Sequence, residues 1–292
     1  SASLDNSGGT LLAAGRGDLQ LQAQATLTNV QGALQASHNL QLPSAGLSNQ
    51  QGRITAISGD ATLTTSQAID NEQGRIEAGQ QLTLRSQGVD NHSGTVLGEG
   101  VTLDTQQGQI GNTGGNLVAR RDLKISSGKT DNSTGLIQSG GDLAINTHDQ
   151  ALINRDSGKA GIVSGGALAI TSGDFDNQNG VIAAASAATI SSAGVTNGDG
   201  TLLSDGALTL NSGAFDNQRG LIQSGASLSL DTHGAQLTNT ASGDRGGIVA
   251  RGDLQLLTGT IAGDHGVIQG QNLFIDIRAT AADVTAGGAL TA

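Results

Sequence analysis

The chain has 292 residues, 46 of them Gly, a formal charge of −11, three Phe, one Pro and no Cys, Met, Trp or Tyr. The acidic balance disfavours nucleic acid, which needs a basic face, and docking on anionic lipid; with no run of about 18 apolar residues, no membrane insertion is expected either. Disulfides and thiolate metal sites are excluded, and 36% apolar against 13% charged residues argues for a thin aliphatic core over disorder.

The first element to recur is the triplet "LDN" ending at Asn6. Its Asn reappears at Asn29, Asn49, Asn71, Asn91, Asn112, Asn132, Asn154, Asn177, Asn197, Asn217 and Asn239. The step averages roughly 21 residues, within the range of solenoid repeats. Next in each repeat comes an aliphatic residue shortly after a Gly. This file runs Leu11, Leu34, Ile54, Ile76, Val96, Leu117, Ile137, Ile162, Ile182, Leu202, Ile222, Ile248 and Ile268. A small residue follows two positions later, as at Ala36, Ala78, Ser139 and Ser204. A Leu-x-aliphatic pair closes the repeat, as at Leu82/Leu84, Leu143/Ile145 and Leu228/Leu230.

The period inside each run is two, which suits strands, and Gly, Asn, Asp and Ser fall between runs as breakers. One such repeat cannot bury its apolar row, but a stack of them can. Each strand then pairs in parallel with its equivalent one coil away, at about 4.8 Å. The expected fold is all-β: a parallel β-helix of about 13 coils over residues 1–292, a single continuous array cut from something longer at both ends. By that spacing the array would form a rod on the order of 60 Å long. Corners need positive φ, which Gly and Asn supply most cheaply. The Asn file, with Asn71, Asn91, Asn112, Asn132, Asn177, Asn197 and Asn217 at its centre, reads as a structural ladder of stacked side-chain amides.

Candidate sites follow in chain order. "GRGDL" places Arg16-Gly17-Asp18, and "ARGDL" places Arg251-Gly252-Asp253, in the corner before the Leu-x-aliphatic strand. Arg-Gly-Asp is the integrin-binding tripeptide, yet other coils put "SGGDL" and "ARRDL" there, so the match also reads as a variant corner. Asp70 and Asp90 share a column, either a Ca²⁺ site or a pair of Asx turns, and the latter is favoured. His38, His92, His148, His233 and His265 have no partner at ligand spacing, so neither metal nor cofactor is expected. Two longer insertions, near 155–161 and 240–247, are expected to protrude. Phe175 and Phe215 take the apolar place of the triplet and need only packing. The closing "TAGGALTA" resembles "SGGALAI" at 164–170, so a further coil is expected to open there. Catalysis would need paired carboxylates in a cleft; the even repeat lacks the insertions that build one, so an enzyme acting on polysaccharide is disfavoured.

Taken together, the triplet, the Gly three residues on, the alternating aliphatic and the Leu-x-aliphatic pair resemble the filamentous-haemagglutinin repeat, from Leu4 to about Ile277. That repeat builds shafts of Gram-negative exoproteins exported by two-partner secretion, both adhesins and CdiA-type contact-dependent growth inhibition effectors. The resemblance implies a right-handed β-helix, an outer-membrane transporter as export partner and display at the cell surface. The expected function is a non-catalytic, monomeric spacer. The alternative is a binding module whose insertions touch a receptor on a host or a neighbouring bacterium.

Overall fold

The computed structural model describes residues 3–278 and 289–291. Among these, the one helical segment is a 3-10 turn, Gly243–Arg245; the rest is short strand, bend and tight turn. The chain divides into two compact units, Ser1–His148 and Asp149–Ala292.

Each unit is a parallel β-solenoid in which a coil carries three short strands. The first holds the apolar-Asp-Asn triplet, the second the aliphatic and small residues, the third the Leu-x-aliphatic pair. In the first unit the second strands include Ala33–Ala36, Arg53–Ala56, Arg75–Ala78, Thr95–Gly98 and Asn116–Ala119. They stack in register: Leu34 on Ile54, Ile54 on Ile76, Ile76 on Val96, Val96 on Leu117 and Leu117 on Ile137. In the other unit Ile162, Ile182, Leu202, Ile222, Ile248 and Ile268 pair in the same sequence. Among the described residues seven second strands occur in each unit, close to the 13 coils the repeat predicts for the whole chain.

Alternation decides what is buried. Ile54, Ile76, Leu117, Ile137 and Ile222 are fully buried, as are Leu82, Leu84, Leu228 and Leu230. Each contributes roughly 1.5–3 kcal/mol by leaving water. Phe175 and Phe215 sit at 1% exposure in the triplet position, where Phe175 pairs with Leu152 and Val195, and Val195 with Phe215. The third and first strands fuse in two coils, giving Leu168–Asp176 and Ala188–Thr196.

The glycines work differently from the expectation. The left-handed residue of the triplet corner lies two places after the Asn and is mostly not Gly: Gln31, Gln51, Gln73, Ser93 and Thr134 in one unit, Asp156, Asn179, Asp199 and Arg219 in the other, at φ between 51° and 56°. Gly comes one residue later in each of these corners except that of Asp156, which Ser157 follows, and there space and not φ demands it. A Cβ at Gly74 would lie 2.2 Å from the Asn49 carbonyl oxygen, and one at Gly115 2.1 Å from that of Asn91. The Gly N–H closes the corner on its own coil's Asn carbonyl, as Gly74 does on Asn71 at 2.9 Å.

The alternation also runs one step further than the sequence reading took it. Two residues past the second aliphatic stands a hydroxyl: Thr65, Ser86, Thr105, Ser127, Ser172, Ser212, Thr232 and Thr258, all buried. Each bonds across the next corner, for example Thr65 Oγ1 to the Gln67 carbonyl at 2.6 Å and Thr232 Oγ1 to that of Ala235 at 2.7 Å. Ser192 Oγ, in the same file, is buried without a partner. One further expectation shifts register. Ala289–Thr291 pairs with Val267–Gln269, placing Leu290 opposite Ile268. The stretch therefore continues the second strand and not the Leu-x-aliphatic strand; residues 285–288 lie outside the described residues.

Candidate functional site

The most regular polar feature of each unit is its Asn file. Asn6 Nδ2 donates to Asn29 Oδ1, Asn29 to Asn49, Asn49 to Asn71, Asn71 to Asn91 and Asn91 to Asn112, each at 2.7 Å, and Asn112 to Asn132 at 2.6 Å. In the other unit Asn154, Asn177, Asn197, Asn217 and Asn239 are joined in the same direction at 2.7–2.8 Å. From Asn29 to Asn239 these side chains are 0–1% exposed. Each amide also reaches backbone carbonyls, so Asn71 Nδ2 lies 3.3 Å from those of Gly74 and Thr95. Buried polar groups fully paired in this way hold register without an unsatisfied cost.

The corner before the third strand is stitched by side-chain oxygens. Asp18 Oδ1 accepts from Asn39 N at 2.9 Å, Asn39 Oδ1 from Asp60 N at 3.0 Å and Asp60 Oδ1 from Gln81 N at 3.0 Å. Asp18 also meets His38 Nδ1 at 3.0 Å. The Asn39 N–H and then the His38 ring hold its carboxyl below the usual carboxylate range. Asp18 of the first Arg-Gly-Asp tripeptide is thus one stitch of this corner, beside an exposed Arg16 and a Gly17 whose N–H bonds Ala14 O at 3.1 Å. In the second tripeptide Gly252 N donates to Ala226 O at 2.9 Å and Asp253 accepts from Asn272 Nδ2 at 2.7 Å, while Arg251 is exposed.

The triplet carboxylates cap their own corners. Asp70 and Asp90 pair in register, and each accepts the N–H two residues on, from Glu72 at 3.1 Å and His92 at 3.0 Å. Asp70 Oδ2 also accepts from Gln50 Nε2 at 2.7 Å. These are Asx turns. His148 and His233 are left-handed corner residues whose Nδ1 lies 3.0 Å from a carbonyl, Ser127 O and Ser212 O respectively. His265 lies 2.7 Å from Asp264. Among the described residues no group of three or more His, Asp or Glu could hold a metal ion.

The two insertions are built around a buried Ser. Ser157 Oγ accepts from Val181 N at 2.9 Å, and Ser242 Oγ meets Asn239 Oδ1 at 2.9 Å. Around them Arg155, Asp156, Lys159, Ala241, Gly243 and Asp244 are exposed. Arg155 pairs with Asp176.

Two of the grooves on the outer surface gather charged side chains along the strands. One, of about 430 Å³, runs along triplet strands past Asp174, Asp176, Gly194, Ala214 and Asp216. The other, of about 220 Å³, lies between Arg53, Ile57, Glu77, Gly79 and Arg120. Arg53 and Arg75 stack in register. Arg75 forks Glu77 at 2.9 and 2.7 Å, while Arg53 Nη2 stands 3.8 Å from it. The Arg75 fork, helped by the charges of Arg53 and Arg120, holds the Glu77 carboxyl below its ordinary value. Sequence reasoning missed this cluster; aligning the repeats column by column would have set Arg53 over Arg75.

A model of the haemagglutinin repeat matches residues 2–73, 56–114, 102–156 and 163–244. No curated protein and no solved structure matches the chain.

Proposed function

Since the chain belongs to the haemagglutinin-repeat family, we propose that it is a non-catalytic shaft segment of a secreted, surface-displayed Gram-negative exoprotein. It acts as a stiff spacer for adhesion or contact-dependent toxin delivery. The observation that carries this reading is the recurrence of one Asn-to-Asn bond, at 2.6–2.8 Å, coil after coil within each unit. A binding surface varies its residues to fit a partner, whereas a spacer repeats the contacts that keep it straight. Stacked coils contact only their neighbours, so length can be added without redesign. Export follows the family, through an outer-membrane transporter, and the absence of Cys suits passage as an unfolded thread.

The test is an in-register deletion. Removing residues 177–216 joins Asp176 to Asn217, recreates the Asp-Asn corner and excises two coils. In cells displaying the parent exoprotein, attachment or toxin delivery should persist, with reach shortened by about 10 Å. Loss of activity with the fold intact would overturn the shaft reading. Removing the exposed residues of 155–161 and 240–247 separates the alternative, since a receptor contact there would vanish while a spacer would be unaffected.

A further inference from the structure

The Arg53–Arg120 groove is out of keeping with the rest of the chain. Acidic residues outnumber basic ones by 25 to 14, yet three guanidiniums gather about one carboxylate. Arg53 and Arg75 lie directly opposite in adjacent strands, an arrangement of like charges that costs stability. Glu77 compensates one of them through the Arg75 fork. The Arg53 guanidinium donates through Nε to the Thr55 hydroxyl at 3.0 Å and makes only a loose ion pair with Glu77, at 3.8 Å from Nη2. Arg120 makes no ion pair among the described residues; the carboxylate of the intervening coil, Glu99, is taken by its neighbour Arg121 at 3.0 Å. Two guanidinium forks with open donors therefore border one hollow.

The hollow has a structural origin. Ile57 and Gly79 occupy the same corner in successive coils. A Cβ at Gly79 would lie 2.2 Å from the Ile57 carbonyl oxygen, so no side chain can fill the space. Ile57 itself is 52% exposed, one of three large apolar side chains so displayed among the described residues. Ala56, Ala78 and Thr55 lie almost wholly buried beneath the groove, at 1, 2 and 5% exposure, and Glu77 adds an acceptor at its side.

We propose that this groove binds a carboxylated sugar residue, a hexuronate or a sialate, of an acidic polysaccharide. The Arg53 and Arg120 forks match a planar carboxylate, which guanidinium recognises in bidentate fashion. Glu77 accepts from ring hydroxyls, and the exposed Ile57 side chain takes the apolar face of the ring. A bare anion would leave Glu77 and the exposed Ile57 side chain unused, and a phosphate dianion would meet more repulsion from Glu77 than a singly charged carboxylate does. A run of Asp and Glu alone would bring no hydroxyl for Glu77. At about 220 Å³ the groove suits one ring, below the roughly 300–1,000 Å³ of a drug-sized pocket. Affinity for a single residue is accordingly weak, and repeated residues along a polymer raise it by avidity.

The test is saturation-transfer NMR and calorimetry on the whole chain with glucuronate and N-acetylneuraminate. The neutral methyl ester of each, acetate and inorganic phosphate serve as comparison ligands. At least one acid sugar should bind with a Kd of roughly 1–10 mM, equivalent to about −3 to −4 kcal/mol; which of the two binds tells a uronate polymer from a sialylated one. Arg53→Gln and Arg120→Gln should each weaken binding about tenfold or more while leaving the melting curve in place, and Arg219→Gln should change nothing. Equal binding of the esters, of acetate or of phosphate would overturn the proposal. So would persistence of binding in Arg53→Gln and Arg120→Gln, or absence of binding by both sugars at 50 mM in the folded protein.

Discussion

Asn71 donates its side-chain amide to Asn91 Oδ1 at 2.7 Å, and neither residue is exposed to solvent. Asn91 passes the bond on to Asn112 at 2.7 Å. Asn91→Ala would cut the file in its middle, leaving Asn112 Oδ1 and one Asn71 donor short of partners. An orphaned buried group costs about 1–3 kcal/mol. The expected outcome is a lower urea midpoint and faster amide exchange in the coils of Asn71 and Asn112. Gln31, Gln51 and Gln73 form a comparable ladder in solvent, with side-chain bonds of 2.8 and 3.1 Å. Gln51→Ala should cost less than about 0.5 kcal/mol.

Of two adjacent corner residues, one should tolerate the loss of its Cβ and the other should not tolerate the gain of one. Gln73 sits at φ 53°, a conformation that costs a non-Gly residue about 1–2 kcal/mol. Gln73→Gly should therefore be neutral or stabilise by up to about 1 kcal/mol once the entropy of the unfolded Gly is counted. Gly74→Ala drives a Cβ to 2.2 Å from the Asn49 carbonyl and should destabilise strongly. Thermal melts of the two variants decide; a benign Gly74→Ala would contradict the close approach of the coils.

These two positions also mark how far the sequence could be read. The Asn file, the aliphatic files and the Leu-x-aliphatic pair were legible because each recurs with one residue type and a period of two. The role of Gly74 was not, since a repeated Gly after Asn looks the same whether φ or space requires it. The hydroxyls at Thr65 and Ser86 were hidden by chemistry. Ser and Thr count as breakers in a pattern search, yet here they extend the inward alternation by one step. The Arg53–Arg120 groove comes from residues that are sparse in the chain and meet only through the stacking of coils.

Ile137 is fully buried and stacks on Leu117, while Gln138 on the same strand faces solvent. Ile137→Asp would bury an unpaired charge and should melt the coils around it. Gln138→Asp should shift stability by less than about 0.5 kcal/mol. Circular dichroism melts of the pair measure the inward-outward alternation directly, and equal effects would refute it.

The Glu77 carboxyl is held below its ordinary value chiefly by the Arg75 fork. Its folded pKa thus lies below its unfolded one, near 4.3. The stabilisation it supplies is complete above the unfolded value and is lost as pH falls through the lower, folded value. Glu77→Gln should flatten that part of the acid limb in a plot of melting temperature against pH. Above the unfolded value the parent should remain the more stable of the two.

The left-handed corner position carries Gln, Ser, Thr, Asp, Asn, Arg, Ala or Gly from coil to coil, because the Asn before it and the Gly or Ser after it fix the backbone whatever side chain it bears. In the first unit these residues point outward, about 4.8 Å apart from Gln31 to Ser93 and about twice that from Ser93 to Thr134, where Gly114 holds the coil between. The chain has no native thiol, so a single Cys introduced at 31, 51, 73, 93 or 134 would give a unique labelling site. Fluorophore pairs set at these graduated heights would turn the unit into a calibrated molecular ruler.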